Sequence, residues 1–529
     1  MLEADVDTEV LVVGGGPVGL TARALLERWG VRVWPVEQHG GLSPFPRSRL
    51  VNVRSMEIYR QLGLAAEITA GAFAPEFGRI RFRDTLSEPD FATAAMVGVN
   101  APVPESPSVG VVTSQDRLEP VLLAGAGTPV RFGVELLDLA EDADGVVALL
   151  VDHGGGARIR VRARYVLAAD GAGSTVRHLL GIGTSGPGSM GSFTTVVFRA
   201  DLDRWCARRP AGVYFTARGL FAPLYPEGGW AWFVPTPDDA GNADWSDVVA
   251  HALGPGAGVP AEVVRVQHWV MNAFVADRFR RGRVMLAGDA AHAVPIVGGL
   301  GMNAGIADVH DLCWKLAGVL RGWAGPHLLD SYEIERRPVA ERTLGQAVAN
   351  TRLLLDVQER RREQLADRAT APDTLELPWS EQYFAQLGLV LGVVYRSDAV
   401  LPDDDGDDDA PRRTPGTDYV PSAAPGHRMP HFWLARDRST VDAVGAWFTV
   451  FTPDPTLWAQ FASEPWPLRI EPLPAELVEP CGTGPRGALL VRPDGHVGAR
   501  WRDRPLDGAE LRSALAALTG TTDHGGRPL

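Results

Sequence analysis

Three glycine-rich segments carry residue types that could do chemistry. They are Gly14-Gly15-Gly16-Pro17-Val18-Gly19, then Asp170-Gly171-Ala172-Gly173-Ser174-Thr175, then Gly288-Asp289-Ala290-Ala291-His292 followed by Pro295 and Gly298-Gly299-Leu300-Gly301-Met302-Asn303-Ala304-Gly305. The first has the spacing that cradles a pyrophosphate. Gly14 permits a tight turn, Gly16 lets the backbone approach phosphate oxygens, and Gly19 allows a helix to pack close on a strand. Glu37, with Gln38 beside it, stands where a carboxylate can accept hydrogen bonds from a ribose. In the third segment the glycine run leads into an apolar stretch over residues 306–320 that reads as a helix. Free backbone N–H groups and a positive helix end would therefore face whatever docks there. The amides of Gly301, Met302 and Asn303 could stabilise negative charge in the manner of an oxyanion hole, and Pro295, with fixed φ and no N–H, would stiffen the adjoining wall. Taken singly, each turn is also explained as a tight connection after a buried strand, and His292 as a buried or capping histidine.

Each segment needs a strand to deliver it. Residues 9–13, 160–169 and 283–287 are short apolar runs ending at the three turns, and residues 31–36 form a further strand ending at Glu37. Continuous apolar runs followed by glycine turns and helical patterns argue for an α/β fold with a Rossmann-like dinucleotide-binding domain. The pattern by itself does not separate NAD from FAD.

Between these pieces, residues 76–108 and 186–275 are rich in aromatic and β-branched residues at alternating spacing, the pattern of one antiparallel sheet. Such a sheet suits a flat ligand, and Tyr214, Phe215, Trp230 and Trp232 are its candidate pocket residues, beside Phe221, Tyr225, Phe233 and Trp269. Trp230 and Trp232 are two apart and share a face.

Composition bounds the rest. The 529 residues, 45% apolar, exceed one compact core and predict a multidomain enzyme. The net charge of −14, with no basic cluster, argues against nucleic acid as a partner. Cys206, Cys313 and Cys481 lack any disulfide or zinc spacing, so a cytoplasmic protein without a metal site is expected. The acidic first residues and the glycine-broken first apolar run argue against a signal peptide or a membrane span. Lys315 is the only lysine.

The three turns, in this order, resemble the flavoprotein hydroxylases of the para-hydroxybenzoate hydroxylase type over most of residues 8–345. The resemblance implies FAD as cofactor and NAD(P)H as co-substrate. It places Gly288-Asp289 at the ribityl and pyrophosphate region, Asp170-Gly171 at both flavin and NAD(P)H, and Arg47 and Gln115 beside the cofactor; Gly299 and Pro295 are further candidate cofactor neighbours. The amides of Gly301, Met302 and Asn303 would then meet the negative charge of a reduced flavin. Ser331-Tyr332-Glu333-Ile334-Glu335-Arg336-Arg337-Pro338 is another family landmark. Residues 387–395 are similar to a segment that returns toward the active site in polyketide and indolocarbazole hydroxylases. Residues 414–529 look like the thioredoxin-like domain of the larger hydroxylases, without a redox cysteine pair.

The implied organisation is an FAD-binding domain from residues 1–75, 109–185 and 276–400, a substrate domain from 76–108 and 186–275, an acidic linker at 401–413 and the C-terminal domain from 414. The linker's six aspartates around Gly406 lack the ordered pattern of a calcium loop.

The implied reaction is a monooxygenation: NAD(P)H reduces FAD, oxygen adds at flavin C4a, and the hydroperoxide hydroxylates a polycyclic, polyketide-like phenol. No residue identifies itself as catalytic base, and a monomer or homodimer is expected. A Baeyer–Villiger oxygenase, an antibiotic-inactivating monooxygenase and a flavin protein that steers an intermediate without oxidising it stay open. A halogenase, suggested by Trp230-Ala231-Trp232, fits poorly because the sole lysine follows the third turn.

Overall fold

The computed structural model describes residues 5–96, 98–254, 258–366, 374–377, 386–402, 419–460, 465–503 and 509–521. Val10, Leu11 and Val12 are wholly buried in the strand Val6–Val13, which lies between the parallel strands Arg158–Ala168 and Val33–Glu37. Val284–Leu286 pairs parallel with the other edge of Arg158–Ala168. In register, Val13 stands opposite Ala168 and Ala168 opposite Leu286, so three adjacent strands end at one level. The antiparallel hairpin of Val134–Glu141 and Val146–Asp152 pairs with the first half of Arg158–Ala168 and widens this sheet to eight strands.

A second eight-stranded sheet is built on the long strands Thr184–Arg199 and Glu262–Ala276, followed outward by Gly228–Pro235, Gly219–Tyr225, Val213–Thr216, Arg79–Arg83 and Asp90–Ala95. It is not wholly antiparallel as expected: Val213–Thr216 runs parallel to Arg79–Arg83. The two belong to segments separated by four strands of the first sheet, from Arg131–Phe132 to Arg158–Ala168, and that long excursion supplies the crossover a parallel pair requires. His292–Ala293, just past the third turn, pairs with Phe274 and Val275, so the two sheets are tied where the turn lies.

The helix Gly301–Arg321 and the 37-residue helix Asp330–Ala366 lie beside the parallel sheet. Beyond them, a four-stranded sheet runs in the order Leu468–Pro472, Phe448–Thr452, Ala488–Val491, Val497–Trp501, its first pair parallel and the others antiparallel. Its core continues into Trp314 and Trp323 of the preceding helical region, which pack with Phe448, Trp458 and Leu515. Residues 403–413 of the expected acidic linker lie outside the described residues. Leu387–Val390 forms a short helix, and Leu387, Val390 and Leu391 pack with Val53, Val103 and Tyr419.

The contact between the C-terminal sheet and the helices contains a buried ion cluster. Lys315 Nζ donates to Asp311 at 2.9 Å and to Glu335 at 2.6 Å, while Arg492 donates to Glu335 at 2.6 Å and to Asp311 at 3.0 Å and also pairs with Asp494. These three carboxylates could formally ligate a metal, but Lys315 and Arg492 already occupy their oxygens. Burial first, then the charge of Glu335, pushes the Asp311 carboxyl well above its usual range, which suits three carboxylates facing two cations.

Truncation of Glu335 would remove a carboxylate to which both Lys315 and Arg492 donate, leaving buried donors unpaired. Glu335→Ala is expected to cost about 3–5 kcal/mol in denaturant unfolding and Glu335→Gln less; equal, negligible losses would contradict the cluster. His496, buried beside Asp494, has its pKa lowered from 6.5 to about 4, by burial first. The unfolded chain then binds its proton more readily, so this contribution is complete above pH 6.5 and lost as the pH falls toward about 4. His496→Gln should make that part of the acid limb of a stability profile shallower.

Candidate functional site

The common level of the three strand ends brings the turns together. Gly14, Gly16, Pro17 and Val18 from the first, Asp170 and Gly171 from the second, and Asp289 from the third line one cavity of about 900 Å³. The same cavity takes in Glu37, Gln38, Arg47, Gln115, Pro295, Gly299, Gly301 and Met302.

Local chemistry fixes each piece. Gly14 has φ +108°, and a Cβ there would lie 2.3 Å from the Ala169 carbonyl oxygen, so only glycine allows the first two turns to touch. Glu37 Oε2 accepts from the Gly15 N–H at 2.7 Å and holds the turn against the second strand. Asp170 accepts from Ser174 Oγ at 2.6 Å and from the Val176 N–H at 3.1 Å, which secures the start of the helix Thr175–Leu179. Arg177 then donates to Ala172 O and Ala290 O at 2.8 and 2.9 Å, clamping the second turn to the third.

The third turn is held from behind by Asp308. Its carboxylate accepts from the Gly288 N–H at 3.1 Å, His292 Nε2 at 2.6 Å and Arg336 Nε at 2.8 Å. Burial opposes its ionisation, yet His292 and Arg336 hold its pKa down at about 2. His292 is thus a buried structural partner. Asp289 faces the cavity instead, and burial raises its pKa, with Asp308 adding to the rise while His292 and Arg47 oppose it. The following helix begins at Gly301 rather than at the expected residue 306, because the glycine-rich run itself takes up helical geometry. The amides of Gly301, Met302 and Asn303 are therefore its first, intrahelically unpaired donors.

Three nominated residues stand behind the wall. A Cβ on Gly19 would lie 1.9 Å from Gly14 O, and one on Gly288 would lie 2.9 Å from Val18, so both glycines serve close packing. The Asn303 side chain accepts from the Asn52 N–H and Ser55 Oγ and donates to Leu50 O and Gly299 O, tying the helix start to the segment after Arg47. The short helix near residue 387 is also not part of the lining.

The opposite wall is one face of the large sheet. Cross-strand register aligns Phe215 with Leu220, Leu220 with Phe233, Phe233 with Thr195, and Thr195 with Gln267, and all five line the cavity with Trp269. Of the four nominated pocket residues, only Phe215 is there. Tyr214, Trp230 and Trp232 point to the other face, where they form a core with Phe198, Phe221, Val249 and Leu253. The error is one of phase: side chains alternate, so Tyr214 and Phe215 cannot share a face, and the tryptophan pair is covered by the helix Trp245–Leu253. Sequence reasoning also missed Arg49, Glu119, Thr195 and Gln267. Glu119 lies one helical turn after Gln115, which donates to it at 2.7 Å, and that spacing could have flagged it.

Residues 7–347 match a family model described as an FAD binding domain, and residues 422–522 match one described as aromatic-ring hydroxylase, C-terminal. An aklavinone 12-hydroxylase of Streptomyces peucetius is 36% identical over 479 residues, covering 85% of this chain and 93% of that protein. The solved structure of the flavin-dependent monooxygenase PieE with FAD and substrate is similar with a TM-score of 0.87 at 31% identity, over 98% of this chain and all 100% of that one. Aklavinone-11 hydroxylase in a ternary complex with FAD and aklavinone matches with a TM-score of 0.83 at 34% identity, with coverage of 98% and 100%.

The two sheet faces predict opposite behaviour for neighbouring residues. Trp232→Ala should cost about 3–5 kcal/mol in denaturant unfolding, as for a large core side chain, whereas Phe233→Ala should cost clearly less because Phe233 is only partly buried and lines the cavity. Equal losses would contradict the assignment of faces.

Proposed function

The chain belongs to the FAD-dependent aromatic-ring hydroxylases, and from that premise we propose that this monooxygenase uses NAD(P)H and oxygen to hydroxylate a polycyclic, polyketide-like phenol. One observation carries the reading: a single cavity runs from the three glycine turns to a sheet face bearing Phe215, Phe233 and Trp269. Flat aromatic walls suit a flat ligand.

The residues present fit FAD. Gly16 has nothing within 4 Å of a would-be Cβ, which leaves room for a pyrophosphate at the start of the helix Pro17–Arg28. Glu37 would take the adenosine ribose, Arg47 the phosphates, and Asp289 a ribityl hydroxyl, for which its cavity-facing carboxyl provides acceptor oxygens. Gly301 and Met302 would offer amides to the flavin ring where negative charge develops, beside Gly299 and Pro295. Bound FAD supplies the redox chemistry that activates oxygen. The protein orients the ring system, excludes water with the Phe215, Leu220 and Phe233 wall, and holds charge at the helix start.

Within this reading, residues 1–75, 109–185 and 276–400 form the FAD domain and residues 76–108 and 186–275 the substrate domain. Residues 414–529 form a thioredoxin-like domain, supported by its parallel pair, antiparallel hairpin and closing helix Ala509–Leu518. Cys481 is buried and free, so that domain has no redox pair among the described residues.

The test is to purify the protein, identify its released flavin and follow NAD(P)H oxidation with hydroxylated anthraquinones. Stimulated oxidation with a hydroxylated product is expected; a ring-expanded lactone would instead identify a Baeyer–Villiger oxygenase. Asp289→Ala and Gly14→Val should both lose FAD, the latter through the clash with Ala169, and two fully yellow variants would overturn the cofactor assignment.

A further inference from the structure

Arg49 is a partly buried cation that the fold leaves without a salt bridge among the described residues. Its guanidinium donates to Gly212 O at 2.9 Å and to Pro223 O, and its Nε has no partner. A guanidinium has five N–H donors, so those two carbonyls leave most of them unused. It makes no ion pair with a described residue, and the Phe73 ring lies 5.8 Å from its Cζ. The charge nearest in effect is Asp116, which accepts from Tyr225 OH and has its other oxygen buried and unpartnered. Burial lowers the Arg49 pKa to about 10 against the pull of Asp116, so it stays charged near neutral pH.

Arg49 lines the same cavity, at the sheet end bounded by Gly212, Met96 and Phe215. Holding two carbonyls requires hydrogen-bond donors but no charge, and a charge drawn even partly out of water is disfavoured unless an opposite charge meets it. The cavity's other charged lining residues are Glu37, Arg47, Glu119, Glu135, Asp170 and Asp289, none of which is ion-paired with Arg49, and Glu119 is engaged by Gln115 and by the Ser43 N–H.

We propose that Arg49 recognises a deprotonated hydroxyl, a phenolate oxygen, on the aromatic substrate and so selects the electron-rich form of the ring. The phenol O–H bond breaks, its proton passes to solvent, and the oxygen accepts from Arg49 N–H groups. No oxidant or reductant is involved in this step. The inference rests on the reading that the cavity takes a polycyclic phenol.

Alizarin, a dihydroxyanthraquinone whose absorption moves to longer wavelength on ionisation, is a direct probe. Titrated into the FAD-loaded protein below the dye's own pKa, it should bind in its ionised form, with its pKa lowered enough for about a tenfold or greater preference for phenolate. Its methyl ether should bind at least about tenfold more weakly. Arg49→Gln should bind the dye in its neutral form, and Arg49→Lys should retain part of the spectral shift. Neutral dye in the unmodified protein, or an identical shift in Arg49→Gln, would overturn the proposal and leave Arg49 a strut. If Arg49→Gln does not fold, the spectrum of dye bound to the unmodified protein decides. Absence of any dye binding would overturn the polycyclic-phenol reading and this inference together.

Discussion

The site depends on one geometric constraint: three parallel strands, distant in sequence, end at the same level of one sheet. Val13, Ala168 and Leu286 stand side by side, and each is followed by a turn in which glycine lets the backbone come close. A slip of one residue between any two of these strands would reverse which side chains face the helices and separate the turns. The buried valines and leucines of the sheet therefore do more than stabilise; they set where the phosphate-sized gap and the Asp289 carboxyl meet.

Polar contacts then hold the turns at that level. Arg177 spans the second and third turns, and Asp308 gathers the Gly288 amide, His292 and Arg336. Arg336 also donates to Ala304 O and Tyr395 OH, which links the start of the cavity helix to the chain leading toward the C-terminal sheet. That helix is in turn fixed by Arg492, which donates to Asp311 and shares Glu335 with Lys315. The C-terminal sheet is thus joined to the cavity through a helix whose first turn borders it.

The dinucleotide motif was legible because its information is local: strand, glycine spacing and terminal acid lie within residues 6–37. The joining of the three turns was legible only through the resemblance, since parallel register leaves no mark in a single segment. The aromatic wall was half legible. Alternation marked a sheet, but which phase meets the cavity is decided by what covers each face, and the helix Trp245–Leu253 claimed Trp230 and Trp232 for the core. Arg49 was invisible for a similar reason. Its partners Gly212 and Pro223 are more than 160 residues away in sequence, and nothing near Arg49 distinguishes it from a solvent-facing arginine.

The burial of Lys315 has a consequence for handling the protein. With one lysine in the chain, wholly enclosed between Asp311 and Glu335, the folded molecule presents no side-chain amine. Acylating labels, aldehyde fixatives and amine-coupling surfaces would find no lysine to attack until the core opens. Arginine, which those reagents leave untouched, carries the surface's positive charge, so the amine of Lys315 becomes a chemical reporter of unfolding.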